Sequence, residues 1–139
     1  MRLFIDANIL VAVLNKEYPL FSNAARVLSL ADDEHFFLFT SPLCLAIAYY
    51  FAEKKSGRRM AKKKIALLID KIDIADHKKQ DIINAISNKA IEDFEDGMEY
   101  YAALRAGCTC IITEDKNDFY FSDIQALNCG EILQKLRNN

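Results

Sequence analysis

Two apolar runs in this chain stop on acids. RLFI at 2–5 runs into Asp6, and CIIT at 110–113 runs into Glu114 and Asp115. A third group, IEDFEDGMEYY, carries Glu92, Asp93, Glu95, Asp96 and Glu99. On a helix, Glu92 and Asp96 stand at i,i+4 and Asp93 and Asp96 at i,i+3, so they share a face. Like charges at that spacing repel unless solvent or a cation screens them. Brought together, the three sets would make a pocket of hard oxygen donors. Such donors suit Mg²⁺ or Mn²⁺, which keep several waters and take a few carboxylates plus substrate phosphate oxygens. The chemistry would be ionisation of a water and neutralisation of charge on a phosphodiester during in-line displacement. Each set also has a plainer role. Asp6 would serve as a turn or cap residue, EDKND at 114–118 has turn composition, and acids near a helix start favour the macrodipole. Convergence requires the first and the late strand to be neighbours.

Other chemistries find less support. The cysteines are Cys44, Cys108, Cys110 and Cys129. The C-x-C of Cys108 and Cys110 is too tight for the usual zinc spacing and has no second pair. Reduced thiols in or near the core of a cytoplasmic protein are the expectation. His35 and His77 stand alone, which leaves little basis for a histidine metal site or a Ser-His-Asp triad. No run of about 18 apolar residues exists, so no membrane span is expected. Asp6 and Asn8 interrupt the apolar N-terminal stretch, so it reads as a buried strand rather than a secretion signal.

The elements that must position these acids are legible in outline. With 139 residues, 52% hydrophobic and 27% charged, the chain reads as a single domain over 1–139 with one real core. Strands are expected at 2–5, 36–39, 72–74, 110–113 and, as an edge, 124–127. Helices are expected at 8–15 with Asn8 as cap, 20–31, 42–55 capped by Ser41, 58–69 after a Ser56-Gly57 break, 78–89, 91–106 ended by Gly107, and 130–137. Strands alternating with helices predict an α/β fold with a mostly parallel central sheet flanked by helices. In such sheets ligands bind outside the carboxyl ends of the strands, where both strand-terminal acids lie. Gly97 inside a helical pattern costs up to about 1 kcal/mol against Ala and marks close backbone packing or a weak point.

FIDANIL at 4–10, SPLCLAIAYYFAEK at 41–54, EDFEDGMEYYAALRAGCTCIIT at 92–113 and EDKNDF at 114–119 together carry a resemblance. The chain resembles a PIN domain, the three-layer fold of the VapC-type toxin ribonucleases, and these pieces cover most of its length in the expected order. The resemblance implies a Mg²⁺- or Mn²⁺-dependent endoribonuclease whose acidic pocket is formed by Asp6, Asp96 and Asp115. Asp118 and Asp93 would assist in metal binding, and Asn8 and Thr113 would be small polar groups beside it. It further implies a homodimer and, in toxin–antitoxin pairs, an antitoxin that blocks the pocket. One position departs: members with a complete acidic set carry a Glu in the third helix, where this chain has Ile47. That departure opens the alternative of a weakly active or silent module that binds RNA or a protein partner.

The total charge conceals a split. Residues 54–64, KKSGRRMAKKK, hold seven basic and no acidic residues, and the rest of the chain holds 11 basic and 20 acidic. Arg58, Arg59 and Lys62 could grip RNA phosphates, with counterion release as the driving term. A solvated helix end would explain them as well. Tyr49, Tyr50, Phe51, Tyr100 and Tyr101 could stack on bases, but their helical positions favour core or dimer packing.

Overall fold

The computed structural model describes residues 1–139. Five strands, β1 (Arg2–Ile5), β2 (Phe37–Thr40), β3 (Asp73–Ile74), β4 (Cys110–Ile112) and β5 (Gln125–Leu127), form one sheet in the order β3-β2-β1-β4-β5. Every neighbouring pair runs parallel. β1 lies at the centre, with Leu3 opposite Leu38 on one side and opposite Cys110 on the other. Leu3, Phe4 and Ile5 are all fully buried. Successive strand residues point to opposite faces, so both faces of the sheet are covered, as parallel sheets require.

The cover is supplied by α1 (Ala7–Leu14), α2 (Leu20–Leu28), α3 (Pro42–Ser56), α4 (Arg58–Ile69), α5 (Lys79–Ser87), α6 (Phe94–Arg105) and α7 (Cys129–Arg137). α1 packs on α2 and α3, α3 on α4, α2 on α7, and α5 on α6. Ser41 caps α3 as expected, accepting the Cys44 N–H at 3.1 Å, with Pro42 in the first turn. Gly57 breaks α3 from α4 at φ +83°, and Gly107 follows α6 at φ +74°. Both lie in the left-handed region that glycine enters without strain. All four cysteines are free and buried, in accord with the core-thiol reading. No helix is long and apolar enough to cross a membrane.

Most bounds shift by a residue or two from expectation, and three differences stand out. Asp6, not Asn8, caps α1: its Oδ1 accepts the Ala7 N–H at 2.7 Å. The helix begins one residue after the strand, which leaves no room for a separate cap. α2 ends at Leu28, and a 3₁₀ turn over Ser29–Asp32 follows in place of a helix reaching 31. α6 starts at Phe94 rather than 91, because Asp93 caps it by accepting the Asp96 N–H at 3.2 Å. Glu92 therefore precedes the helix, and the expected Glu92–Asp96 helical pairing does not form. Gly97 is a close-packing position. A Cβ there would stand 2.9 Å from Ile91 Cγ2 and 3.1 Å from Ala85 Cβ.

Candidate active site

The strand order changes direction between β1 and β4, the two strands that end on acids. A crevice outside the carboxyl ends of strands at such a switch point is where open parallel sheets bind ligands. Here the crevice is a cleft of about 420 Å³ whose lining includes Asp6, Asn8, Ile47, Asp96, Glu99 and Asp115. Asp118, Glu95 and Glu17 also border it. Asp6, Asp96, Asp115 and Asp118, separated by up to 112 positions in sequence, thus share one cavity. Adjacent pairing of β1 with β4, on which convergence depended, is what brings the first and last acids together.

The β1 and β4 ends are tied by short side chains. Thr113 is fully buried and donates its hydroxyl to Asp6 Oδ2 at 2.8 Å. The same hydroxyl oxygen accepts the Asp115 N–H at 3.1 Å and the Asn8 amide at 3.2 Å. The Asn8 amide nitrogen also donates to Asp115 Oδ2 at 3.1 Å, and its carbonyl oxygen accepts the Glu114 N–H at 3.3 Å. Asn8 and Thr113 therefore fix Asp6 and Asp115 relative to each other before any ligand arrives. Asp93, at the head of α6, does not line the cleft. It is close enough to raise the carboxyl pKa of both Asp96 and Asp118.

The acids strain one another. Burial, then Asp93, Asp118 and Asp6, push the Asp96 carboxyl up to about 7. Burial, then Asp115, Asp6 and Asp93, also raise Asp118. The larger effect falls on a residue that sequence reading had not placed in the site. Glu99 is 3% exposed. Burial, the Asp6 charge and a hydrogen bond to Asp6 push its carboxyl up to about 10. Its Oε1 accepts the Cys44 thiol at 3.1 Å, and no protein donor reaches its buried Oε2. Only a proton shared with Asp6 or a cation satisfies that oxygen. The carboxylates that line the cleft fit a divalent cation.

Glu99 had a legible signal. Asp96 and Glu99 stand three apart, which places both on one side of α6, following the Asp93 cap. The face of α3 toward the cleft carries no acid: Ile47 and Phe51 line it, and Cys44 lies one turn before Ile47. The carboxylate absent from α3 is met by one from α6.

Arg58, Arg59 and Lys62 are exposed on α4 and none borders the cleft. Arg59 instead lines a separate shallow concavity with Ser56, Met60 and Lys63. Among the aromatics, Tyr100 is core and Tyr49 and Tyr101 are half-buried, as packing predicts. Tyr50 and Phe51 are exposed and meet edge to face at 5.2 Å. Phe51 is the one of the five that reaches the cleft.

Known proteins resemble this chain in sequence and in fold. Ribonuclease VapC1 of Aquifex aeolicus (strain VF5) is 25% identical over 138 residues, covering 96% of this chain and 94% of the relative. VapBC-1 from nontypeable Haemophilus influenzae superposes with a TM-score of 0.71 at 17% identity, over 94% of this chain and 99% of that one. VapC20 of Mycobacterium tuberculosis, a Sarcin-Ricin loop cleaving toxin, gives 0.66 at 17% identity, over 88% and 98%. VapBC2 from Rickettsia felis, bound to a DNA fragment from its promoter, gives 0.69 at 17% identity, over 92% and 98%. At such identity the structural likeness is one of fold. The family model for the PIN domain matches residues 2–117, and with that span and this cleft the chain belongs to the PIN domain family.

Proposed function

We propose that this protein is a Mg²⁺- or Mn²⁺-dependent endoribonuclease and the toxin of a toxin–antitoxin pair. The observation that carries the reading is the meeting of Asp6, Asp96, Asp115 and Asp118 in one cleft at the sheet's switch point. Family membership and a ribonuclease relative along nearly the whole chain support it. So do fold neighbours that are VapBC assemblies, which favour an antitoxin partner. A homodimer and a cytoplasmic location belong to the same proposal.

Asp6, Asp96 and Asp115 would hold the cation, with Asp118 and Asp93 shaping the field around it. A bound Mg²⁺ or Mn²⁺ supplies charge neutralisation at the phosphodiester and a lowered pKa for the attacking water. Asp6 is held for this by the Ala7 N–H on one oxygen and the Thr113 hydroxyl on the other, so its free lone pairs have a fixed direction. Asp96, raised to about 7, gives up its proton readily when a cation arrives. A cleft this acidic repels RNA, so Arg58, Arg59 and Lys62 would take the backbone at a distance from the chemistry.

The test is cleavage of labelled RNA with Mg²⁺ or Mn²⁺. Asp6→Asn and Asp96→Asn are expected to abolish it while circular dichroism stays that of the wild type. A wild-type protein that cuts no RNA, and shows no metal binding by calorimetry, overturns the proposal.

One observation favours a second reading. Ile47 lines the cleft where the family pattern has Glu, and an isoleucine cannot ligate a metal. A silent PIN module that binds RNA or a protein partner would show no cleavage until Ile47→Glu restores it.

A further inference from the structure

We propose that Asp6, Cys44 and Glu99 form a binding site for a thiophilic divalent ion of the zinc class, separate in its donor chemistry from the hard-ion site. One ligand atom from each residue lies within 4.8 Å of the other two, and all three side chains are buried. Cys44 Sγ is 3.1 Å from Glu99 Oε1 and 3.9 Å from Asp6 Oδ1. Zinc bonds of about 2.3 Å to sulfur and 2.0 Å to oxygen, at a tetrahedral angle, separate the two donors by about 3.5 Å. The observed separations bracket that value, so small side-chain adjustments close the site.

A second observation points the same way. Glu99 Oε2 is buried and has no donor, although Glu99 borders the cleft. The thiol-to-Oε1 hydrogen bond accounts for one oxygen and leaves the other unpaired. Ligation resolves the orphan when Glu99 turns both oxygens to the ion: the thiol proton leaves to solvent as the sulfur–metal bond forms, Oε1 exchanges its thiol hydrogen bond for the metal, and Oε2 gains a partner. Magnesium is the wrong occupant, because a thiolate has no place in its oxygen shell. Three protein ligands leave a fourth position open, the pattern of exchangeable rather than sealed zinc sites. Asp6 and Glu99 both border the cleft, so that position is reached from the side where substrate would enter. Asp6 is common to both sites, so zinc occupancy competes with the hard ion for it.

Co²⁺ is the probe. It is titrated into the full-length, EDTA-stripped protein under reducing conditions and followed by absorption. The expected result is one equivalent bound, with intense visible bands of four-coordinate cobalt and a thiolate-to-cobalt charge-transfer band in the near ultraviolet. Equimolar Zn²⁺ should erase both, and a large excess of Mg²⁺ should not. Cys44→Ser should abolish the charge-transfer band and weaken Co²⁺ by more than ~100-fold, beyond the loss typical of an outer-shell partner. Glu99→Gln should keep the band and weaken binding at least ~10-fold. Circular dichroism of each variant establishes that it is folded, and Cys44→Ala replaces Cys44→Ser if the serine variant is not. Absence of binding, a weak octahedral spectrum without charge transfer, or a band that survives loss of Cys44 overturns the proposal. No step reads RNA cleavage, so failure here and failure of the nuclease reading are distinct results.

Discussion

Replacing Glu99 by Gln should stabilise the metal-free protein at neutral pH. The Glu99 carboxyl has an ordinary value of 4.5 and is pushed up to about 10 in the fold, by burial first and Asp6 second. Between those values the folded state holds a proton that the unfolded state has released. Stability therefore falls as pH rises through that window. At pH 7 the loss depends only on the interval from 4.5 to 7, provided the folded value exceeds 7. At about 1.4 kcal/mol per pH unit this comes to about 3 kcal/mol. Glu99 is 3% exposed, so solvent screening takes little from it. Glutamine keeps the volume, removes the titration and offers its amide to Asp6. Urea unfolding in EDTA at pH 5 and pH 7 measures the effect for both proteins. Wild type should lose about 2–3 kcal/mol more than Glu99→Gln across that interval, and Asp96, common to both, cancels in the comparison. Parallel pH profiles would refute the reading that burial and the neighbouring Asp6 hold Glu99 neutral.

Other perturbations test the scaffold and the charges. Gly97→Ala gains helix propensity of up to about 1 kcal/mol, but its Cβ meets Ile91 Cγ2 at 2.9 Å and Ala85 Cβ at 3.1 Å. Both partners sit one bond or two from backbone and cannot swing aside, so a net loss of about 1–2 kcal/mol is expected by denaturant unfolding. An unchanged midpoint would mean that α5 and α6 yield freely. Asp96, raised to about 7, must shed its proton to bind a cation, so calorimetric Mn²⁺ affinity should rise from pH 5 to 7 and then level off. A flat profile removes Asp96 from the ligand set. Alanine at Arg58, Arg59 and Lys62 together should lower the slope of log affinity for RNA against log salt by about 2. An unaltered slope would return these residues to the role of a solvated helix end.

Much of the scaffold was readable because its signals are local. Short apolar runs ended by acids marked β1 and β4, Ser41-Pro42 marked the start of α3, and Ser56-Gly57 marked its end. α6 begins three residues late because Asp93 satisfies the Asp96 N–H with its own side chain, and Asp and Glu are interchangeable in any pattern of acids. At α1 the sequence offers both Asp6 and Asn8 as caps, and the structure selects Asp6. A strand-terminal carboxylate that also caps the next helix looks no different in sequence from one that does a single job.

The site was half legible, and the missing half shows which kind of information sequence withholds. Asp6, Asp96 and Asp115 could be carried over from the pattern because each follows a recognisable element boundary. Glu99 sits inside α6, where an acid among Tyr100, Tyr101 and alanines reads as a solvated position. Its meaning depends on what faces it across the cleft. With Ile47 and Phe51 lining the α3 side, no carboxylate comes from that helix, and its buried Cys44 lies behind the cleft against Glu99. A buried glutamate beside a buried aspartate is costly without a proton or cation between them. Its placement against a thiol makes the pair a mixed sulfur–oxygen donor set. With Ile47 in place of an acid on α3, Glu99 of α6 is the buried carboxylate that meets Asp6, and Cys44, one turn before Ile47, is the α3 side chain that reaches both.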